Sequence, residues 1–451
     1  MKNGDLPNFK KFHADSHVFV TDVDVNDAVN LEPWIQWFSV HTGVAFEEHG
    51  VFHLTDGPNA AYPDIWRVLS KSGYRVGNFS SMNAKGFDLP GSFFLPDPWC
   101  VTETAHPREL SVFHDTVARQ VQEYTNPEDA MKMMDYVRFL FFIVSHGLSV
   151  GTSHGIARQL MAEKLVDGRL TWKRVPLLDR LQFDVFKHYL NKVKPDFSTF
   201  FSNSTAHYQH AYWRHMDPDA FLSKPSEEDV KNYGDAILYG YQCMDRLLER
   251  FFALERQGYR LILATALSQQ PFLRAEDIGG QRFYRPRDVS ALLARVGVQA
   301  ADVLPVMTHQ YVVRFADDAQ ARNATRRLGS LHLDGTAVFE ISAAEGNSVR
   351  FGCALHRTVP ADAEVVFDGH NDIPRVRFFD EFYCIDGLKS GRHHPDGVLW
   401  IKSGTHMEHD EKVSILDIFP TLLDHFQIQS NDTPDCIYKG RSLLPDIELE
   451  I

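Results

Sequence analysis

Apolar and polar positions follow one another along this chain in blocks that predict helix, turn and buried strand in succession. Across 60–72, Ile65, Trp66 and Leu69 recur at helical spacing, and GYRVGNFSS over 73–81 predicts a turn into a short buried strand. The stretch KPDFSTFFSNSTAH (194–207) predicts a core strand ending in a polar loop, with Thr199, Phe200 and Phe201 leading into Asn203, Ser204 and Thr205. Residues 235–256 carry the clearest amphipathic pattern, and after Gly258, Tyr259 and Arg260 the apolar run LILATAL (261–267) predicts the next strand. Toward the other end, GVLWIKSG (397–404) predicts a strand, and 413–428 a helix whose apolar face holds Ile415, Ile418, Leu422 and Phe426. Helix, turn and buried strand in alternation predict an α/β fold: a mostly parallel central sheet flanked by helices. Alternating segments within 301–370 (HQYVVRFA, GTAVFEIS, SVRFGCAL) predict a smaller mixed α/β insertion, dividing the core into 1–300 and 371–451.

Composition narrows the class. The 451 residues are enough for a sizeable core, and 44% hydrophobic with 24% charged residues is the balance of a globular protein. No apolar run approaches the roughly 18 residues needed to span a bilayer. Lysine and arginine number 46 against 60 aspartates and glutamates, a net charge of −14, which opposes nonspecific binding to nucleic acid or an anionic membrane. The start, MKNGDLPNFKKF, lacks the apolar stretch of a secretory signal, so a cytoplasmic location is expected. Cys100, Cys243, Cys353, Cys384 and Cys436 are far apart and never in a CxxC arrangement, which argues against a disulfide framework or a thiolate zinc site. The 22 histidines change the picture, because clustered imidazoles bind metal or move protons.

Four polar stretches fall at predicted strand ends, where open α/β sheets hold ligands. The first, 31–50, contains Glu32, His41, Thr42, Glu47, Glu48 and His49, and His49 before Gly50 reads as a loop anchor. In the second, 203–218, His207 and His210 can share a helical face, while Trp213 and Arg214 offer an aromatic wall and an anion contact. The third places Ser268, Gln269 and Gln270 after a buried strand, and the fourth puts His393 and His394 in a turn before another. Each imidazole has an ordinary reading as a local hydrogen-bonding group beside the functional one.

In arrangement these stretches resemble the alkaline phosphatase superfamily, especially its type I phosphodiesterase/nucleotide pyrophosphatase and sulfatase-like members. The matching segments are LPNFKKF (6–12), HTGVAFEEHGV (41–51), HYQHAYWRHMDP (207–218), the helix–strand unit at 235–267, GRHHPDGVLW (391–400), SILDIFPTLLDHFQI and GRSLLP (440–445), spanning nearly the whole chain. The resemblance implies a two-metal phosphoryl or sulfuryl hydrolase, with an Asp- and His-rich ligand set for Zn, Mn or Mg and an activated threonine, serine or modified cysteine. At the decisive places this chain departs from that pattern. The nucleophile would fall near Pro33, the D-x3-H pattern becomes Ala206-x3-His210, and the expected Asp-His-Gly reads Ala266, Leu267, Ser268. The resemblance also implies an apolar strand ahead of LPNFKKF, ending in a metal-binding aspartate. His210 and His393 are the ligand-like matches.

Three readings stay open at this point. In the first, a divergent hydrolase of phosphate or sulfate esters or diesters, or of a carbohydrate-linked substrate, places His207, His210 and His393 around a divalent metal. Glu32 or Asp56 would stand nearby, and Ser268 or Thr205 would be the nucleophile, with His207 in a catalytic role. In the second, the pocket binds an anionic ligand without turnover through His210, Arg214 and His393, with Trp213 and Gln269 as further substrate-binding groups. In the third, the chain is an accessory protein of a biosynthetic pathway.

Overall fold

The computed structural model describes residues 4–25, 31–54, 56–100, 102–122, 131–306, 309–342, 346–369, 375–385, 387–429 and 437–447. Ten strands matter for the site: β1 (Ser16–Asp22), β2 (Val76–Phe79), β3 (Phe93–Leu95), β4 (Phe197–Phe200), β5 (Ile262–Thr265), β6 (Ser268–Pro271), β7 (Gly391–His394), β8 (Gly397–Lys402), β9 (Met407–Glu408) and β10 (Val413–Ser414). The helices that cover them are α1 (Pro7–Ala14), α2 (Pro33–Thr42), α3 (Ile65–Lys71), α4 (Val175–Val193), α5 (Ser204–Met216), α6 (Ala236–Glu255) and α7 (Ile418–His425).

The central sheet has five strands in the order β9-β1-β8-β5, with β10 also paired to β1. It is mostly antiparallel, which corrects the expected mostly parallel sheet. Strand β8 runs against both β1 and β5, in a register that sets Val18 opposite Trp400 and Leu399 opposite Ala264; only the short β9 and β10 lie parallel to β1. Parallel pairing does occur in the neighbouring sheet β3-β2-β4, where helices lie between β3 and β4 and a loop joins β2 to β3. A helix–strand alternation announces those crossovers. It carries no information about the β1–β8 ladder, whose partners come from opposite ends of the chain.

Alternation along each strand divides the core into two layers. On one face Phe19, Leu399 and Ile401 pack with Val40 of α2, Trp66 and Leu69 of α3, and Phe419 and Leu423 of α7. On the other, Val18 and Trp400 meet Phe12 of α1 and Leu248 and Phe252 of α6. Helix α6 continues onto the second sheet, where its Leu247 and Leu254 join Phe183 and Phe186 of α4 against Phe79 and Phe93. Both sheets are therefore covered by shared helical layers. A separate core gathers residues from Tyr284 to Phe382, among them Val313, Leu328, Phe351 and Phe378, around its own antiparallel strands. Among the described residues no helix is long and apolar enough to cross a membrane. Cys100, Cys243, Cys353 and Cys384 are free thiols, and Cys436 lies outside the described residues.

Strands β4 and β5 are not paired with each other, and both line a cavity of about 2290 Å³. Its wall includes Phe197, Phe200, Leu263 and Ala264 from the strands, with Leu248 of α6 and Leu422 of α7. Ladder alternation fixes which amides face it. Phe197 and Phe201 donate toward β2, so the intervening Ser198 and Phe200 N–H groups point the other way. Lys402 donates to the Leu261 carbonyl, which puts the Ile262 and Ala264 N–H groups on the cavity side of β5. Amide hydrogen exchange is expected to be at least about tenfold faster at these four positions than at Thr199 and Leu263. Residue-resolved exchange by NMR checks this, and equal protection on both sides of the strands would contradict the geometry.

Candidate functional site

The cavity reaches the segments that follow β4 and β5, and the side chains gathered there come from four elements. Helix α5 begins at Ser204, directly after the polar loop that ends β4, and presents His207 and His210 three residues apart. His210 is fixed from both sides. Its Nδ1 donates to the Gly391 carbonyl at 2.8 Å, and its Nε2 accepts from the Gln269 side-chain amide at 3.2 Å. The first contact follows from how closely β7 lies on α5. Ser390 gives its N–H and hydroxyl to the His210 carbonyl at 2.9 and 3.0 Å, and a Cβ on Gly391 would stand 2.3 Å from the Gln209 carbonyl oxygen.

The β6–β7 ladder then places His393 directly opposite Gln269 and His394 opposite Ser268. Cross-strand partners share a face, so His393 joins Gln269 and His210. The His210 and His393 rings lie 5.0 Å apart and nearly perpendicular. His393 Nδ1 donates to the Leu31 carbonyl at 2.8 Å, with the Glu32 carboxylate 3.5 Å away. Glu32 stands at the start of α2, where Pro33 occupies the first helical position and lines the cavity without a group able to attack or donate. The helix ends at Gly43, whose left-handed φ of 69° closes the turn.

Burial sets the protonation states. It pushes His210 down to about 4 and His393 down to about 3, the latter also opposed by the neighbouring His210 and Lys389. Both rings are neutral at physiological pH, and because each Nδ1 donates to a carbonyl, each Nε2 carries a lone pair. Burial raises the Glu32 carboxyl to about 7, against the pull of the Lys389 ammonium. Lys389 lines the same cavity and is lowered by its own burial, with Arg274 and Arg392 adding to the positive field and Glu32 countering it. Among the described residues no carboxylate lies within ion-pair distance of Lys389.

The remaining expected site residues fall elsewhere. Arg214 is only 3% exposed and makes a two-pronged pair with Glu276, at 3.0 and 2.6 Å, with a further bond to the Ser223 carbonyl at 2.6 Å. It does not line the cavity; its two terminal nitrogens are taken by Glu276 and Ser223, and its Nε is buried without a partner. Trp213 packs beside Tyr208 and Ile237, away from the cavity. Asp56 pairs with Arg350 at 3.2 Å rather than facing His393. His394 accepts from the Asp396 N–H and His49 from the Val51 N–H, so both anchor turns. Thr205 and Ser268 line the cavity, but neither hydroxyl is hydrogen-bonded to a base, and the Thr205 oxygen is buried without a partner. His207, neutralised by burial, also lines the cavity.

Two features escape sequence reasoning. Lys389 has no motif to mark it. The hydroxyl that does meet a carboxylate is Ser204, which donates to Asp179 of α4, and burial raises that carboxyl to about 6. The partners are 25 residues apart on different helices, and no local pattern links them.

A pair of divalent cations needs several anionic oxygens. The imidazoles of His207, His210 and His393, the Gln269 amide and the Lys389 ammonium are joined here by the carboxylates of Glu32 and Asp179, but Asp179 is bonded to Ser204, the Nε2 of His210 is already occupied by Gln269, and no three of the potential ligands converge within 4.8 Å among the described residues. This donor set does not fit a two-cation centre. Among the described residues, the group of three potential ligands whose donor atoms lie within 4.8 Å of one another is elsewhere: His13, His406 and Glu408.

No protein-family model and no curated protein matches the chain. Solved structures align along most of it. Phosphonoacetate hydrolase from Sinorhizobium meliloti 1021, in complex with phosphonoformate, is 13% identical over 93% of this chain and 89% of its own, with a TM-score of 0.37. Alkaline phosphatase PafA is 13% identical over 97% and 93%, with a TM-score of 0.43. Human ectonucleotide pyrophosphatase/phosphodiesterase 5 is 8% identical over 97% and 92%, with a TM-score of 0.37. At these scores the likeness runs along the chain without assigning a role to any residue.

Proposed function

We propose that the part of the cavity lined by Glu32, His210, Lys389 and His393, with Gln269 held against His210, binds a small phosphate or sulfate ester, in a divergent member of the alkaline phosphatase superfamily. The observation that carries this reading is Lys389, a half-buried ammonium on the cavity wall that lies 5.0 Å from the Phe272 ring and feels Glu32, yet has no carboxylate in ion-pair contact among the described residues. A cation removed from water and left unneutralised is where an anion gains most. The His393 Nε2, left with a lone pair because Nδ1 donates to Leu31, would accept a hydroxyl proton of the same ligand, and Gln269 would hold His210 in place. Superfamily membership rests on the sequence segments at 41–51 and 391–445.

The sign of the pH dependence follows from Glu32. Below about pH 7 its carboxyl is protonated and neutral, leaving the Lys389 charge to the ligand; above it the carboxylate competes. Calorimetric titration with inorganic phosphate, sulfate and p-nitrophenyl phosphate is expected to give saturable binding that weakens as pH rises from 6 to 8. Lys389→Ala should reduce affinity by about tenfold or more, the equivalent of about 1.4 kcal/mol, while Lys389→Arg retains most of it. Affinity indifferent to Lys389 would end the proposal.

A second reading, ester hydrolysis, is favoured by the same Glu32. A carboxylate titrating near neutrality can take a proton from water as its oxygen attacks phosphorus or sulfur, while the ester oxygen departs and is protonated. Release of p-nitrophenol in the titration above, abolished in Glu32→Gln, would select turnover; saturable binding with no release would select a binding protein.

A further inference from the structure

We propose that His13, His406 and Glu408, none of which lines the cavity, form a zinc-binding site on the face of the central sheet covered by α1. The three residues are brought together by register. Strand β9 lies parallel to β1 with Glu408 beside Val18, and Val18 faces α1, so Glu408 does too. His406 is two residues away on the same extended segment and shares that face. His409, one residue beyond Glu408, turns to the opposite side and stacks on Phe19 at 4.0 Å. His13, in the last turn of α1, packs its ring edge-on against Trp400 at 5.1 Å and reaches the same point from above.

The distances are those of a ligand set. Donors 2.0–2.2 Å from a tetrahedral ion lie about 3.3–3.6 Å from one another. His13 Nε2 is 3.4 Å and His406 Nε2 3.7 Å from Glu408 Oε1, and the two rings are 4.8 Å apart. His406 Nδ1 donates to the His13 carbonyl at 2.9 Å, which fixes the tautomer and aims the Nε2 lone pair at the carboxylate. A backbone carbonyl holding the far nitrogen of a ligating imidazole is the usual outer support of a metal-bound histidine. Two imidazoles and one carboxylate suit Zn²⁺ better than Mg²⁺ or Ca²⁺, which take oxygen ligands. The exposed side of the cluster leaves a fourth position to water. A bound ion would tie the end of α1 to a segment 393 residues along the chain.

The test is calorimetric titration of the EDTA-dialysed protein with zinc chloride at pH 7.5, with magnesium chloride in parallel and cobalt chloride as a spectroscopic probe. One zinc per chain at micromolar affinity or tighter is expected, with no magnesium uptake, a rise in Tm, and visible absorption of tetrahedral cobalt. His406→Ala and Glu408→Gln, both at solvent-facing positions, should each weaken zinc by about tenfold or more and abolish the cobalt band while leaving circular dichroism unchanged. His393→Ala should leave zinc binding intact, which separates this site from the anion pocket. Undiminished zinc in the first two variants, loss of zinc in the third, or no uptake by the parent protein would each overturn the assignment.

Discussion

Glu276→Ala is expected to lower unfolding stability by about 3–5 kcal/mol, the usual consequence of stripping the partner from a buried charge. Arg214 and Glu276 are 3% and 7% exposed in their side chains, and their two parallel contacts leave the guanidinium no route to solvent. The loss exceeds that of a hydrogen bond because the cation stays behind, stacked on Phe221 at 4.2 Å with the Ser223 carbonyl as its remaining polar neighbour. Replacing both members with apolar residues, Arg214→Met with Glu276→Leu, should recover most of the loss, since the penalty lies in the uncompensated charge. Urea midpoints of the single and double variants decide this. Contact with Arg214 holds the Glu276 carboxyl below its ordinary value of 4.5, so the pair contributes fully above that pH and progressively less as pH falls through the lowered value.

Gly391→Ala is expected to disturb the anion site more than any change to the imidazoles' immediate surroundings. The added Cβ meets backbone on every side: the Gln209 carbonyl oxygen at 2.3 Å, its carbon at 2.8 Å and the His210 Cα at 3.2 Å. No side chain can swing away, so β7 must lift from α5. That movement breaks the His210–Gly391 bond and both Ser390 contacts to the His210 carbonyl. Overpacking costs about 1–3 kcal/mol, and each lost hydrogen bond adds roughly 1 kcal/mol. Phosphate affinity should fall by about tenfold or more as His393 separates from His210. Gly168→Ala, with no atom within 4 Å of the added carbon, serves as the control and should shift stability by less than about 0.5 kcal/mol.

What was legible in the sequence was what local periodicity encodes. The amphipathic run at 235–256 is α6, the apolar run at 261–267 contains β5, the strand expected from 397 is β8, and of the helix expected over 413–428 only Ile418–His425 is α7, since Val413 and Ser414 form β10 and a 3-10 turn follows. Each buries a stripe or a face that its own residues specify. Strand β1 offers no such signal, because SHVFVTD mixes inward polar residues with apolar ones, and its antiparallel partner is unrecognisable from either segment alone. The same distinction governs the site. His210 lies on the helix face that its spacing from His207 predicts, whereas His393, His394 and Gln269 lie within the paired strands β7 and β6 and not in the expected turn. The pairing of Arg214 with Glu276 is not readable because the partners are 62 positions apart, and the His13, His406 and Glu408 group is divided between α1 and the segment around β9.

The ladder between β1 and β8 also dictates when this molecule can fold. During synthesis β1 emerges within the first 22 residues, and its hydrogen-bonding partner begins at Gly397. At ribosomal rates of about 5–20 residues per second, the strand waits roughly 20–75 s for β8. Throughout that interval α1 and β1 cannot be fixed in the central sheet, because β8, β9 and β10 do not yet exist. The helices and the three-stranded parallel sheet can assemble on the emerging chain, whereas the central sheet closes only after β8, β9 and β10 have left the ribosome.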